Sequence, residues 1–186
     1  MTKQLNIITL FLTSLCVTAQ SNWDTQIDNN LRGVLQKHKA LVSIPNLPEN
    51  KENMLKNVDW VTKEFTALNF KVTSLKSPTL PVLFAEKSYN ENFKTILFYF
   101  HLDGQPVNPK MWNQEDPFVP ELKAQNPNGD WETIAWSKLD EGINDDWRIF
   151  GRAAADDKAP IIMILSALEI LQQQKQEPTF NIKIVI

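Results

Sequence analysis

The sequence predicts an α/β fold with a largely parallel sheet, because helical and strand patterns alternate along the chain. Apolar residues recur at helical spacing over residues 24–44, about 49–68 and about 157–174. Between and after these segments lie short runs rich in β-branched and aromatic residues: FKVTSL, PVLFAE, TILFYF, WRIFGR and, at the end, FNIKIVI. TILFYF is apolar at successive positions, which is typical of a strand that is covered on both faces.

The two N-terminal helices are defined by their ends and their faces. Pro45 and Pro48 follow the first helix and end it, because proline has no amide hydrogen for the helical ladder. The second helix is amphipathic, and one of its faces carries the apolar residues Met54, Val58, Val61, Phe65 and Leu68. The length of 186 residues is enough for a single domain with a core.

The segment from Gly104 to Trp147 has little periodicity and is rich in proline, asparagine and tryptophan. It is too long to serve only as a connector in a compact domain. Its aromatic residues include Trp112, Phe118, Trp131, Trp136 and Trp147. Two interpretations stay open: these aromatics attach an irregular loop to the body of the protein, or they form a partial lid or substrate wall.

Residues 1–19 have the pattern of a secretory signal peptide. Lys3 gives a short positive region, an apolar run extends from Leu5 to Leu15, and small residues precede a cleavage position after Ala19. The apolar run is too short to span a membrane. We therefore expect a protein that is exported, either to the periplasm or out of the cell. A buried N-terminal helix and, because of Cys16, a lipoprotein are the alternatives.

Charge and cysteine content narrow the class of protein further. The formal net charge is −3, which gives no reason to expect nucleic acid or an anionic membrane surface as a partner. The only cysteine lies in the predicted signal peptide. The mature chain therefore has no disulfide, and its core, with or without a metal, must hold it together.

Polar residues that can bind metal follow two of the predicted strands. His101 and Asp103 come directly after TILFYF, and Asp156 follows WRIFGR. Ligands of open α/β sheets sit beyond the carboxyl ends of the strands, so both strand ends are expected to deliver these side chains to one edge. A plain helix N-cap is the alternative role for Asp156. His38, the other histidine, lies in the first helix, and a structural role is favoured for it.

HLDGQP after an apolar strand and GRAAADDKAPI at the start of a helix resemble motifs of the co-catalytic zinc peptidases. This family includes carnosinase, aminoacylase and succinyl-diaminopimelate desuccinylase. LVSIP and WNQEDPFVP resemble further segments of the family, and the likeness covers nearly the whole mature chain. The resemblance implies a three-layer α/β sandwich with a largely parallel central sheet, of which residues 20–186 form the N-terminal part of the catalytic domain.

When the residues of the family's motifs are transferred position by position, the resemblance implies roles for three residues. His101 would ligate one metal ion, Asp103 would orient the His101 ring, and Asp156 would bridge two metal ions. The family also implies a cis peptide bond between Asp156 and Asp157. Two zinc ions, or Co²⁺ or Mn²⁺ in their place, would support hydrolysis of a small peptide or an N-acyl amino acid.

The sequence departs from the family pattern at two glycines, where Ala153 and Ala159 stand instead. A positive φ at the first of these positions would strain an alanine. The sequence also stops at FNIKIVI, before the family's Glu-Glu pair, which supplies the general base and a metal ligand. The dimerisation domain of the family is expected to be absent as well.

The expected complete protein is therefore an exported zinc-dependent metallopeptidase or amidohydrolase, which the family suggests can form a homodimer. The 186 residues alone are expected to be inactive and to aggregate through an unpaired apolar final strand. Two alternatives stay open: a secreted protein that binds peptide or sugar without catalysis, and a degenerate relative that keeps only the fold.

Overall fold

The computed structural model describes residues 21–186, and the predicted signal peptide, including Cys16, lies outside the described residues. The described helices are α1 (Ser21–Val42), α2 (Lys51–Ala67) and α3 (Lys158–Gln173). The strands are β1 (Lys71–Leu75), β2 (Val82–Lys87), β3 (Thr95–Tyr99), β4 (Glu121–Gln125), β5 (Trp131–Ile134), β6 (Arg148–Phe150) and β7 (Asn181–Val185). Short 3₁₀ helices cover Pro109–Met111 and Trp136–Asp140. The α/β class and each helix and strand that the sequence patterns predicted are confirmed.

Local chemistry explains two of the helix ends. The Asn50 side chain accepts a hydrogen bond from the Asn53 amide at 3.1 Å and so caps the start of α2. α1 ends at Val42, shortly before Pro45, which cannot continue the helical ladder. Leu41 and Val42 are both fully buried, so the end of α1 is fixed in the interior.

The central sheet is mixed rather than largely parallel. Its strand order is β1-β2-β7-β3, and among these described strands only β3 and β7 run parallel. The chain between Leu75 and Val82 is too short for a parallel crossover, so β1 and β2 pair antiparallel. The connection from β3 to β7 includes α3, which supplies the crossover that a parallel pair needs. The prediction of a largely parallel sheet is therefore corrected for this part of the chain.

One hydrophobic core joins the central sheet to the helices. Its buried members are Leu41, Met54, Val58, Val61, Phe65, Leu68, Phe70, Leu83, Ala85, Phe100, Leu102, Ile161, Ile162, Leu165, Leu168, Ile182 and Ile184. The predicted apolar face of the second helix is thus confirmed as a core face. β7 pairs with β2 on one side and β3 on the other, so the expectation of an unpaired final strand is wrong.

β3 is more exposed than its sequence predicts. The exposed fractions of Ile96, Leu97 and Tyr99 are 41%, 61% and 72%. β3 is also an edge strand among residues 21–186, where no described strand pairs with its outer side. The prediction that TILFYF is covered on both faces is therefore wrong for this part of the chain.

The segment from Gly104 to Trp147 contains strands that the sequence analysis missed. β4 and β5 form a hairpin, and β6 pairs antiparallel with β4, which gives a separate sheet of order β5-β4-β6. The turn of the hairpin closes through a hydrogen bond from Asn126 N to Asp130 O at 2.9 Å, with Gly129 at a φ of 88°. The sequence NPNGD between two short β-rich runs was the signal for this hairpin.

Aromatic side chains of this segment make packing contacts. The Trp131 and Phe150 rings lie 5.2 Å apart within the second sheet. The Nζ of Lys39 on α1 lies 4.5 Å from the centre of the Trp136 ring. These contacts support the interpretation that the aromatics attach the segment to the body of the protein.

Candidate metal centre

His101 lies directly beyond β3, and hydrogen bonds at both ring nitrogens define its orientation. Its Nδ1 is 3.0 Å from the backbone oxygen of Asp103 and 3.4 Å from the Asp103 carboxylate. A carbonyl oxygen only accepts, so Nδ1 carries the hydrogen and donates it. The other nitrogen, Nε2, faces the Asp156 carboxylate at 2.9 Å. The prediction that His101 and Asp156 meet is therefore confirmed, and Asp103 contacts the ring through its carbonyl more closely than through its side chain.

Asp156 comes from the segment between β6 and α3. Its side chain is 88% exposed, and the residue at the helix N-cap is Asp157, which makes no side-chain capping hydrogen bond. The alternative role of Asp156 as an N-cap is therefore wrong. The peptide bond between Asp156 and Asp157 is cis, as the resemblance implied.

The two residues do not come from neighbouring strands of one sheet. β3, which precedes His101, lies in the central sheet, whereas β6, which precedes Asp156, lies in the second sheet. The expected delivery of both side chains to the edge of a single sheet is therefore wrong, although the side chains meet. β6 differs from the expectation because its backbone pairs with β4, a strand that the sequence patterns do not predict.

A shallow cavity of about 260 Å³ opens at the meeting point of these side chains. His101, Asp103, Gly104, Arg152 and Asp156 belong to its lining. One wall is thus acidic, while the Arg152 guanidinium supplies a positive group. The cavity is open enough to admit a small polar ligand to the His101 and Asp156 side chains.

Two opposing effects act on the pKa of His101. Burial lowers it, but the hydrogen bonds to Asp103 O and to Asp156, with the nearby charges of Asp157 and Asp103, raise it above its usual value of 6.5. Without metal, the His101 ring therefore takes up a proton more readily than a free imidazole does. The same arrangement of an imidazole nitrogen beside a carboxylate oxygen suits a cation placed between them.

The donor atoms fit a transition-metal ion, but they form an incomplete set. Zinc binds histidine nitrogen and carboxylate oxygen at about 2.0–2.2 Å, so two ligands of one ion lie roughly 3 Å apart, as Nε2 of His101 and Oδ1 of Asp156 do. No group of three or more histidine, cysteine, aspartate or glutamate side chains able to hold a metal occurs among residues 21–186. A zinc site needs about four ligands, so the described residues do not complete such a site by themselves.

Asp157 and Lys158 contribute to the site in ways that the sequence does not predict. The Asp157 carboxylate accepts the His101 backbone amide at 3.1 Å and so joins the two halves of the site. Lys158 is fully buried, and its Nζ donates to Leu41 O at 2.8 Å and to Ile44 O at 2.6 Å. Burial lowers the pKa of Lys158 to about 7. The only signal in the sequence was the charged run Asp-Asp-Lys before an apolar helix.

His38 and Arg152 also lie close to the site. His38 is partly buried, and its Nε2 donates to Ala154 O at 2.7 Å, which confirms the predicted structural role. The Arg152 guanidinium lies 5.2 Å from the centre of the Trp112 ring, while its Nε is buried with no hydrogen-bond partner. Trp112 is therefore the member of the aromatic segment that contacts the lining of the site.

Comparisons with known proteins repeatedly find dipeptidases. No model of a known protein family matches the sequence. The Cys-Gly metallodipeptidase of Schizosaccharomyces pombe is 27% identical over 156 residues, which are 77% of this chain and 28% of that protein. The cysteinylglycine-S-conjugate dipeptidase of Corynebacterium striatum is 30% identical over 162 residues, which are 83% of this chain and 30% of that protein.

Among solved structures too, a dipeptidase has a fold similar to that of this chain. The crystal structure of human carnosine dipeptidase 1 matches 86% of this chain and 32% of its own length, with a TM-score of 0.66 and 22% identity. The chain thus spans about a third of the length of these three proteins. Within residues 21–186, no helix is both long and apolar enough to cross a membrane.

Proposed function

Because the chain is related in sequence to the metallodipeptidases, as its motifs indicated, we propose that the complete protein is a metal-dependent hydrolase. It cleaves the amide bond of dipeptides or of N-acyl amino acids at a binuclear zinc site, in which Co²⁺ or Mn²⁺ can replace zinc. The observation that carries this proposal is the 2.9 Å approach of His101 Nε2 to the Asp156 carboxylate beside an open cavity. Two donors of the right chemistry meet there although they lie 55 residues apart in the sequence.

Each residue has a separate task in this proposal. His101 donates the lone pair of Nε2, and Asp156 offers carboxylate oxygens that can bridge two ions. Asp103 holds the proton on Nδ1 through its carbonyl oxygen, which fixes the tautomer that leaves Nε2 free to bind. Zinc bound there supplies the Lewis acidity that polarises a scissile carbonyl and activates water.

The described residues alone are proposed to be inactive. They supply His101 and Asp156 as ligands, and no further cluster of metal-binding side chains exists among residues 21–186. The general base and the remaining ligands belong to other parts of the complete protein, which also complete a three-layer sandwich and add a dimerisation domain. This division of the site agrees with the fraction of the relatives that the chain spans.

Alanine variants of the complete protein test the proposed roles. His101→Ala and Asp156→Ala are expected to abolish dipeptide hydrolysis. Asp103→Ala keeps the carbonyl oxygen but removes the carboxylate 3.4 Å from His101 Nδ1, and it is expected to lower zinc affinity or activity by about 10-fold. Asp146→Ala is the control, because this exposed aspartate lies before β6 and outside the site. Full activity of Asp156→Ala, measured with a panel of dipeptides and with zinc content determined in parallel, would rule the proposal out.

Export is proposed from the N-terminal pattern. Expression with a C-terminal tag in a bacterial host is expected to place the protein outside the cytoplasm, with Gln20 as the first residue of the mature chain. N-terminal sequencing of the purified protein checks this. Retention of Met1–Ala19 on a cytoplasmic protein would contradict it.

A non-catalytic binding protein is the second candidate, and one observation favours it. A cavity of about 430 Å³ on the second sheet is lined by Trp112, Trp131 and Phe150 together with polar residues such as Gln114 and Asp130. Aromatic faces beside polar groups are suited to a sugar or a peptide. Saturable quenching of tryptophan fluorescence by a sugar or peptide that persists in EDTA, without hydrolysis, would favour this candidate over the hydrolase.

A further inference from the structure

The chain from His38 to Asn46, at the C-terminal end of α1, contacts both segments that carry the candidate metal ligands. We call residues 38–46 the α1 end segment. We propose that this segment sets the separation between His101 and Asp156, and that His38 and Asn46 are its positioning residues. The inference rests on the proposed function, because it concerns the geometry of the same site.

The first contact of the α1 end segment is with the His101 loop. Asn46 is fully buried, and its Nδ2 donates to Leu102 O at 2.7 Å, between His101 and Asp103. The backbone oxygen of Asn46 accepts the Gly104 amide at 2.8 Å. A Cβ at Gly104 would come within 2.8 Å of the Asn46 amide group, so only glycine permits this approach. One asparagine therefore holds the His101 loop through both its side chain and its backbone.

The second contact is with the segment that carries Asp156. His38 Nε2 donates to Ala154 O at 2.7 Å. Lys158 Nζ reaches back to Leu41 O and Ile44 O, so the segment is held on both sides of Asp156. A Cβ at Gly151 would lie 2.9 Å from the Val42 side chain, which shows how closely the Gly151 backbone packs against Val42. The segment that carries Asp156 thus contacts the α1 end segment at Gly151, Ala154 and Lys158.

The topology explains why such a shared anchor is needed. The ligands follow strands of two different sheets, and the strands of these sheets do not pair with one another among the described residues. Strand pairing therefore cannot fix the distance between His101 and Asp156. A metal site tolerates an error of only about 0.5 Å in the position of its ligands. The α1 end segment is bonded to both loops and can supply that accuracy.

Zinc affinity separates a positioning role from a purely structural one. Zinc binding to the complete protein is measured by titration calorimetry, at a temperature where circular dichroism shows each variant folded. Asn46→Ala and His38→Leu are expected to weaken zinc binding by about 10-fold or more, as losses of supporting contacts do. His38→Gln retains a side-chain N–H donor and is expected to keep most of the affinity.

Asn181→Ala is the matched control. Asn181 is also a buried asparagine that holds a loop, since its side chain accepts the Tyr89 amide at 2.8 Å and donates to Asn90 O at 2.8 Å. It lies at the start of β7, beside the start of β3 and so at the end of the sheet away from His101. Its loss is expected to lower stability while zinc affinity stays unchanged.

The outcomes distinguish this inference from the proposed function. Wild-type affinity in Asn46→Ala and His38→Leu would overturn the positioning role and leave the proposed function intact. An equal loss of affinity in Asn181→Ala would also overturn it, because the effect would then follow stability alone. Absence of zinc binding by the wild-type protein would overturn both. If Asn46→Ala does not fold, the comparison of His38→Leu with His38→Gln decides the question.

Discussion

Ala153 is the residue at which the departure from the family pattern has a structural consequence. Its φ is 62°, in the left-handed region that glycine adopts without cost and alanine does not. The sequence predicts strain at Ala153 only if its φ is positive, and in the structure this φ is positive. Ala153 is also buried, with 6% of its surface exposed, so its methyl group contributes packing that partly offsets the strain.

We predict that Ala153→Gly raises the free energy of unfolding by about 0.5–1 kcal/mol, because the relief of the left-handed backbone outweighs the lost methyl contact. Ala154→Gly is the control: its φ is not positive, so it is expected to lower stability by about 0.5–1 kcal/mol. Urea unfolding of both variants checks the sign. A loss of stability in Ala153→Gly as large as that in Ala154→Gly would contradict the prediction.

His38 predicts a pH dependence of stability. Burial lowers the pKa of His38 below its usual value of 6.5, with a further lowering from the charge of Lys158, against the opposing hydrogen bond to Ala154. The unfolded chain therefore takes up a proton at His38 at a pH where the folded protein does not. The contribution of His38 to stability is present above pH 6.5 and is lost as the pH falls through and below this value.

The matched variant is His38→Gln, which keeps a donor for Ala154 O but does not titrate. We predict that the stability of the wild type relative to His38→Gln decreases between about pH 8 and about pH 5. The comparison with His38→Gln is needed because the raised pKa of His101 favours the folded state as the pH falls, opposite to the effect of His38. This effect of His101 is the same in both proteins and cancels in the difference. Urea unfolding in EDTA measures the difference, and a difference that stays constant with pH would contradict the assignment.

At the scale of elements, Lys37 connects the three helices. From α1, its Nζ bonds to Glu64 on α2 at 2.8 Å and makes a short contact with Glu169 on α3. The Glu64 and Glu169 side chains are only 18% and 25% exposed. Burial opposes the charge of Lys37, but the two carboxylates raise its pKa overall, so it stays protonated.

We predict that Lys37→Met lowers the free energy of unfolding by about 1–2 kcal/mol, because two partly buried carboxylates then face each other unpaired. The control is Lys71→Met, which removes the exposed pair with Glu86 at 3.2 Å and is expected to change stability by less than about 0.5 kcal/mol. Urea unfolding compares the two variants. Equal effects would show that the Lys37 pairs contribute no more than a surface ion pair.

At the scale of the whole molecule, the exposed apolar surface of β3 is the feature that we expect to make residues 20–186 self-associate. Leu97 and Tyr99 are largely exposed on a strand whose outer side has no partner among the described residues. Unpaired apolar edges promote association between molecules. The sequence predicts this tendency for the final strand, but β7 is paired on both sides, and β3 is the unpaired edge instead.

We predict that residues 20–186 expressed alone self-associate and that Leu97→Lys reduces this association, because a charged side chain on an edge strand opposes pairing. Met111→Lys is the control: Met111 is 81% exposed but lies in a 3₁₀ helix rather than on an edge. Sedimentation velocity over a range of concentrations measures the association. An equal effect of both substitutions would show that surface charge, rather than the edge, controls it.

Patterns in the sequence were sufficient for most of the elements and for the meeting of His101 with Asp156. The periodic spacing of apolar residues in helices and strands is a local property of the sequence. The three helices and the strands of the central sheet were therefore predicted near their observed bounds. The motifs also indicated that His101 and Asp156 would meet, since each follows a strand and offers a metal-binding group. The hairpin β4-β5 was missed although NPNGD marks its turn.

Only the tertiary structure decided which strands pair and what holds the site. Sequence periodicity does not specify a partner, so it could not assign β6 to the second sheet or place β7 between β2 and β3. The contacts of His38 with Ala154 and of Lys158 with Leu41 join residues more than 100 positions apart. Such contacts depend on how the elements pack, because hydrogen bonds between distant residues form only when packing brings a donor and an acceptor together.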